Sequence, residues 1–78
     1  MMTLKILTPE SSLTVETDAV FLPGSVGEFE VLQDHAPLIS SLSRGSIRYR
    51  DAEGEHSLEI QSGFVDVRDN VILACVER

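Results

Sequence analysis

Hydrophobic and polar residues alternate with a period of two along most of this chain. Leu4 and Ile6 alternate with polar neighbours near the amino end, and Leu13 and Val15 do so in the next segment. This period over four to six residues is typical of β-strands with one buried side. Turn-forming residues recur between the segments, and no long stretch has the 3.6-residue period of a helix. We therefore predict one all-β domain over residues 1–78, a flattened two-sheet β-sandwich of about ten short strands with almost no helix.

Two hairpins are predicted from their turns. The first turn ends at Gly54, where a positive φ costs little, and it separates strands at residues 48–50 and 57–59. The second turn is formed by Asp69 and Asn70, two residues that tolerate the left-handed conformation.

The last apolar segment, residues 71–76, does not alternate. A strand that is apolar on both sides needs cover on both, and a two-layer sandwich covers only one. Either this strand lies near a rim where loops cover its outer side, or part of that side is an interface in a complex. Cys75 within it is expected to be a small buried apolar residue.

The composition of the chain limits its size class and the kinds of molecule that it could bind. The chain has 78 residues, 42% of them hydrophobic, which suits one small domain with a thin core. Its net charge of −7 argues against binding nucleic acid or anionic lipid and favours a protein partner with basic patches. A single cysteine excludes an intrachain disulfide and suits the reducing cytosol. No apolar run approaches the roughly 18 residues of a membrane span, so we expect no direct membrane insertion.

No arrangement of residues predicts catalysis. His35 and His56 lie in different turns, without the spacing of metal ligands. Residues 24–27 are rich in glycine, but neither a lysine nor a helix pattern follows them, as a phosphate-binding loop requires. Ser40, His35 and Asp34 could be combined into a triad, but an adjacent Asp and His cannot easily adopt its geometry. We therefore predict no catalytic residue, no cofactor and no metal.

Four segments of the chain form a recognisable series. Residues 22–38 read LPGSVGEFEVLQDHAPL, and they are followed by LSRG at 42–45, SGFVDV at 62–67 and DNVIL at 69–73. In this order the segments resemble the amino-terminal β-sandwich domain of the epsilon subunit of F-type ATP synthases, and the resemblance extends over nearly the whole chain. Phe29 and Glu30 stand where the family often has Leu and Gly, which leaves the motif intact.

The resemblance implies a non-catalytic central-stalk subunit of the rotor. Such a subunit packs sideways on the γ subunit, rests on the polar loops of the membrane c-ring, and helps couple proton translocation to ATP synthesis. We then expect a monomer when the protein is isolated, and a peripheral location on the cytoplasmic face of a bacterial plasma membrane as part of the synthase. The alternative is an acidic β-sandwich module that binds some other protein.

The resemblance also assigns contact residues. Those expected to meet the c-ring loops are Gly24, Ser25, Val26, Gly27 and Glu28. The two glycines are predicted to be turn residues that need a positive φ. Glu28 would suit an Arg of the c-ring loops, and its alternative role is that of a solubilising charge.

The γ-facing side is assigned partly by the resemblance and partly by the pattern. Thr8 and His35 match γ-facing positions of the family, and the doubly apolar last strand adds Val71 and Leu73. His35 has an alternative role, because Pro37 fixes an extended bend in which a His often bonds the backbone of its own loop.

The carboxyl end departs from the family pattern. Most members continue into two helices that can inhibit ATP hydrolysis and that bind ATP in some bacteria, whereas this chain stops at Arg78, directly after the last strand. We expect this short form to be native, without an inhibitory arm or an ATP site; the alternative is that the natural chain continues beyond Arg78.

Overall fold

The computed structural model describes all 78 residues and is built from nine β-strands without a helix. The all-β sandwich prediction is confirmed, with nine strands where about ten were expected. No helix long and apolar enough to cross a membrane is present. The strands are β1 (Met2–Leu7), β2 (Ser12–Thr17), β3 (Ala19–Gly24), β4 (Gly27–Val31), β5 (Leu38–Leu42), β6 (Gly45–Asp51), β7 (Gly54–Ile60), β8 (Ser62–Arg68) and β9 (Val71–Glu77).

The strands form one curled sheet in the order β2-β1-β9-β8-β5-β3-β6-β7, with β4 paired to β3. All neighbours are antiparallel except β1 and β9. Strand β5 pairs with β8 along its length but meets β3 only where Leu42 pairs with Gly24. The sheet therefore bends at β5, so that β2, β1, β9 and β8 form one layer and β4, β3, β6 and β7 form the other.

One apolar cluster fills the space between the layers. Its members are Met2, Leu4, Ile6, Val20, Leu22, Val31, Leu42, Ile47, Ile60, Val65, Val67, Ile72, Ala74 and Val76. Full burial of a large aliphatic side chain contributes about 1.5–3 kcal/mol, which makes this cluster the main source of stability. The molecule measures 27 × 24 × 18 Å, as expected for a flattened sandwich.

Both predicted hairpins are confirmed. Strands β6 and β7 turn at Gly54, whose φ is 124°, and strands β8 and β9 turn at Asp69 and Asn70, whose φ values are 51° and 61°. These residue types are the ones that adopt positive φ at least cost, so local turn chemistry sets the register of both hairpins.

The prediction for the last strand needs correction. Strand β9 lies between β1 and β8 inside the sheet, so the interpretation that places it near a rim is wrong. Its burial alternates after all, with Ile72, Ala74 and Val76 buried and with Val71, Leu73 and Cys75 only half-buried. Cys75 is therefore not the buried core residue that its apolar neighbours predicted. The outer residues are half-buried because only their strand neighbours cover them.

The two glycines of the β3–β4 hairpin have different roles. Gly27 has the predicted positive φ, at 137°. Gly24 does not, so the prediction for it is wrong. A Cβ atom at Gly24 would lie 2.7 Å from the carbonyl oxygen of Gly27 and 2.9 Å from the ring of Phe29. Gly24 is needed for close approach rather than for an unusual backbone conformation.

Candidate interaction surfaces

The outer sides of the two layers differ in character. On strands β1, β9, β8 and β5 the residues that alternate with the core carry a cluster of apolar side chains, which we call the apolar face, and Lys5 of β1 is an exposed cation among them. The apolar face consists of Leu7, Ile39, Phe64, Val71, Leu73 and Cys75. Leu7 is 38% exposed, Phe64 53% and Ile39 70%. Exposed apolar side chains gathered on one face mark an interaction surface, unlike the same residues scattered singly.

Strand pairing brings these side chains together. Cys75 pairs with Leu7 on one side and with Phe64 on the other, which makes a continuous row across three strands. The next row runs through Leu73, which pairs with Lys5 on one side and with Asp66 on the other. The Arg68 guanidinium binds both carboxylate oxygens of Asp66, at 3.1 and 3.2 Å, and this contact raises the pKa of Arg68. The Asp66 carboxylate therefore already has a partner in the chain.

The four residues predicted to face γ all border or belong to the apolar face. Val71 and Leu73 lie on it, Thr8 follows β1 at one end of it, and His35 lies at the opposite end. The Thr8 hydroxyl accepts the N–H of Ser11 at 3.0 Å and caps the turn after β1. These positions are far apart in sequence, and the sheet collects them on one side of the molecule.

The segment around His35 is held by several hydrogen bonds. The His35 backbone N–H donates to Leu32 O at 3.2 Å, and the ring Nδ1 lies 2.7 Å from Ala36 O. Because a carbonyl oxygen can only accept, Nδ1 carries the proton in this contact. The ring Nε2 makes no hydrogen bond within the chain. The ring therefore bonds its own loop, as the structural interpretation predicts, and still has one free acceptor.

The β3–β4 hairpin ends in a protruding tip, residues 24–28, which contains all five positions predicted to meet the c-ring. Val26 at its apex is fully exposed. Ser25 fastens the tip to β5, since its N–H donates to Ser41 O at 3.2 Å and its hydroxyl lies 2.7 Å from the Ser41 hydroxyl. Ser41 pairs in turn with Phe64. The tip is therefore a fixed projection that adjoins one end of the apolar face.

The outer side of β4, β3, β6 and β7 is polar, and we call it the charged face. It consists of Phe21, Glu28, Glu30, Arg48, Arg50, Glu55 and Glu59. Arg48 Nη2 lies 3.2 Å from both carboxylate oxygens of Glu28, and its Nη1 lies 3.4 Å from Glu55. The guanidinium carbon stands 4.5 Å above the centre of the Phe21 ring. Glu28 is thus held by a cation that is itself stacked on an aromatic ring.

Sequence reasoning missed the roles of Arg48, Glu55, Phe64 and Leu7. Arg48 reaches Glu28 across the intervening strand β3, so no spacing in the sequence marks the pair. Phe64 and Leu7 could have been found, because they keep the phase of alternation that is opposite to the core in their strands.

A separate acid–imidazole contact stabilises the β6–β7 turn. The N–H of Glu53 donates to Asp51 at 2.8 Å, and His56 Nε2 lies 3.1 Å from the same carboxylate. These contacts, the backbone hydrogen bond first, lower the pKa of Asp51. The His56 ring also stacks on Tyr49, with 5.1 Å between ring centres. No three of the His, Cys, Asp and Glu side chains come together as metal ligands would.

The fold, the apolar face and the hairpin tip define a class of protein, a small β-sandwich domain with an apolar outer side and a projecting tip that carries Glu28. The family model for the ATP synthase delta/epsilon chain β-sandwich domain matches residues 1–78. The chain therefore belongs to this family. The match removes the alternative of a binding module unrelated to ATP synthase.

Individual relatives agree with this assignment. An ATP synthase epsilon chain from Desulfitobacterium hafniense (strain DSM 10664 / DCB-2) is 42% identical over 71 residues, which are 90% of this chain and 54% of that one. One from Desulfosudis oleivorans is 42% identical over 77 residues, 95% of this chain and 57% of that one. The chain spans about half the length of the curated relatives it matches.

Solved structures share the fold at lower sequence identity. A chain of the Euglena gracilis mitochondrial ATP synthase (OSCP/F1/c-ring) matches with a TM-score of 0.89 and 20% identity over 99% of this chain and 51% of that one. A chain of the Tetrahymena thermophila central stalk/c-ring assembly matches with a TM-score of 0.84 and 14% identity, over 99% of this chain and 63% of that one. At such identities the likeness concerns the architecture alone.

Proposed function

We propose that this domain is a non-catalytic rotor element of the central stalk of an F-type ATP synthase. In this role it links the γ subunit to the c-ring and helps couple proton translocation to ATP synthesis. Its family membership and the names of its relatives support the role. The observation that carries the proposal furthest is the presence, on one rigid domain, of an apolar face and an acidic tip that adjoin at Ser41.

The apolar face is the proposed contact with γ. It extends across several strands and is bordered by Thr8 and His35 at its two ends. Each large apolar side chain that a partner covers contributes on the order of 1.5–3 kcal/mol to association. Because Asp66 is already paired with Arg68, docking an apolar partner surface does not leave the Asp66 carboxylate isolated.

The hairpin tip is the proposed contact with the c-ring loops. It projects from the end of β3 and β4 rather than from the flat side, so a partner can meet it end-on while another partner covers the apolar face. Arg48 neutralises part of the Glu28 charge, but Glu55 shares the same guanidinium. Because this one guanidinium is shared by two carboxylates, Glu28 keeps part of its negative charge, which a basic c-ring loop would complement.

These contacts would place the domain beside the membrane without inserting it. We propose a peripheral location on the cytoplasmic face of a bacterial plasma membrane, which agrees with the bacterial sources of its relatives. In isolation the domain is expected to be a monomer, with the apolar face open to solvent.

Co-expression with the γ subunit of the same organism tests the proposal. Size-exclusion chromatography should give a stable one-to-one complex at micromolar concentration, and the domain alone should elute as a monomer. As a matched control, Val26→Glu changes a fully exposed apolar residue outside the apolar face and should still form the complex. Separate elution of γ and the unaltered domain would contradict the proposed role.

A further inference from the structure

Two loops that are distant in sequence are joined by a reciprocal pair of hydrogen bonds. The backbone N–H of Asp34 donates to Oδ1 of Asn70 at 2.6 Å, and Nδ2 of Asn70 donates to Oδ1 of Asp34 at 3.0 Å. The pair connects the β4–β5 loop, which carries His35, to the turn between β8 and β9. Neither residue is among the contact positions assigned above.

Asn70 is itself fixed to the central strands of the sheet. The carbonyl oxygen of Asn70 accepts the N–H of Thr3 at 2.9 Å, which ties the β8–β9 turn to β1. Asn70 also directly precedes Val71 of the apolar face. The side-chain amide of Asn70 therefore joins the His35 loop to the central strands. This loop has no strand pairing of its own.

The backbone at this point is held in an uncommon conformation. Asp34 has a φ of 65° and Asn70 a φ of 61°. Left-handed backbone is uncommon for residues other than glycine, although Asn and Asp adopt it more readily than most. The hydrogen bonds between Asp34 and Asn70 therefore hold both residues in this conformation.

From this geometry we infer that Asp34 and Asn70 are positioning residues that hold His35 in the orientation in which its free Nε2 meets a hydrogen-bond donor of the γ subunit. The inference rests on the proposed γ contact. A loop that is already fixed loses less conformational entropy when the partner docks, so the pair raises affinity without touching the partner.

A charge exchange between the two positions isolates this role. Asn70→Asp places two carboxylates where an amide and a carboxylate now lie 3.0 Å apart, and their repulsion opens the pair. Asp34→Asn retains an amide oxygen that Asn70 can still bond. The double variant Asp34→Asn/Asn70→Asp restores one amide and one carboxylate in reversed order. Both residue types tolerate the left-handed backbone, so the exchange is matched in conformation.

The measurement is the dissociation constant for the purified γ subunit, taken together with the melting temperature. Asn70→Asp should weaken binding roughly tenfold, Asp34→Asn should stay within about threefold of wild type, and the double variant should return to within about threefold. Hydrogen exchange at the Asp34 amide should accelerate in Asn70→Asp and slow again in the double variant, which reports the pair independently of γ.

A His35→Ala variant distinguishes failure of this inference from failure of the proposed contact. If His35→Ala weakens γ binding while Asn70→Asp binds like wild type, the positioning role is overturned and the γ contact stands. If His35→Ala also binds γ like wild type, the His35 contact and the positioning role are both wrong. Loss of binding in Asn70→Asp that the double variant does not restore would also overturn the inference, since it would reflect general damage to the loop.

Discussion

The two outer faces of this sandwich follow the same alternation but carry opposite chemistry. Outward positions on β1, β9 and β8 hold Leu7, Leu73 and Phe64, whereas those on β4 and β7 hold glutamates. A two-layer sandwich leaves both outer sides to solvent, so the fold does not require this difference. An exposed apolar surface opposes solubility, and its restriction to one layer therefore indicates a partner for that layer.

The charged residues of the two faces also differ in how completely they are paired. On the apolar face Asp66 is paired with Arg68, two residues away in the same strand. On the charged face the glutamates outnumber the arginines, and Glu28 shares Arg48 with Glu55, so net negative charge remains. The first arrangement suits contact with an apolar surface, and the second suits contact with a cation.

The largest effect is expected when a charge is placed on the apolar face. Phe64→Glu should weaken γ binding by roughly 100-fold, because it removes apolar contact and buries an unpaired carboxylate in the complex. Phe64 is 53% exposed, so the melting temperature of the isolated domain should change little. Isothermal titration with γ measures the affinity, and Val26→Glu serves as the control. If Phe64→Glu bound γ normally, the apolar face would not be the γ contact.

The next largest effect is expected at the hairpin tip. Glu28→Lys replaces the partner of Arg48 with a like charge and should reduce ATP-driven proton pumping in membrane vesicles, whereas Glu28→Gln should reduce it less. The cost to domain stability should remain within about 1 kcal/mol, as for other exposed ion pairs. Glu30→Lys is the matched control, since Glu30 is also exposed on β4 but makes no bond to Arg48. Equal pumping by Glu28→Lys and wild type would exclude Glu28 from the c-ring contact.

A smaller effect on proton pumping is expected when Glu28 is kept and Arg48, which binds its carboxylate, is replaced. Arg48→Gln eliminates both ion pairs and the stacking on Phe21, which together should contribute about 0.5–1.5 kcal/mol to stability. Pumping should fall less than in Glu28→Lys, because the carboxylate remains but is no longer oriented. Arg48→Lys retains the charge without the planar fork and should be intermediate in chemical denaturation. Unchanged stability and pumping in Arg48→Gln would mean that the network is incidental.

The smallest effect concerns the β6–β7 turn, which belongs to neither contact. The pKa of Asp51 is lowered in the folded protein, so its contribution to stability is present above the unfolded pKa of about 3.9 and is lost as pH falls through the lower folded value. Asp51→Asn should therefore flatten the decline of stability below about pH 4. Urea denaturation between pH 2 and 7 measures this, and γ binding at neutral pH should not change. An identical acid profile in both proteins would contradict the assignment.

Much of the fold was determined by the sequence alone. The period of two marked the strands, and the residues Gly54, Asp69 and Asn70 marked both hairpin turns, because each of these signals acts between residues that are close in the chain. The tip at residues 24–28 was also predicted, although Gly24 proved to be needed for space instead of for positive φ.

Only the tertiary structure decided which residues stand together. The position of β9 inside the sheet depends on its parallel pairing with β1, nearly seventy residues away in the chain, which alternation cannot reveal. The contacts of Arg48 with Glu28 and of Asp34 with Asn70 likewise join residues 20 and 36 positions apart. The alternation of apolar and polar residues predicts which side of its own strand a residue occupies. The neighbours of that residue on other strands depend on the order and register of the strands in the sheet.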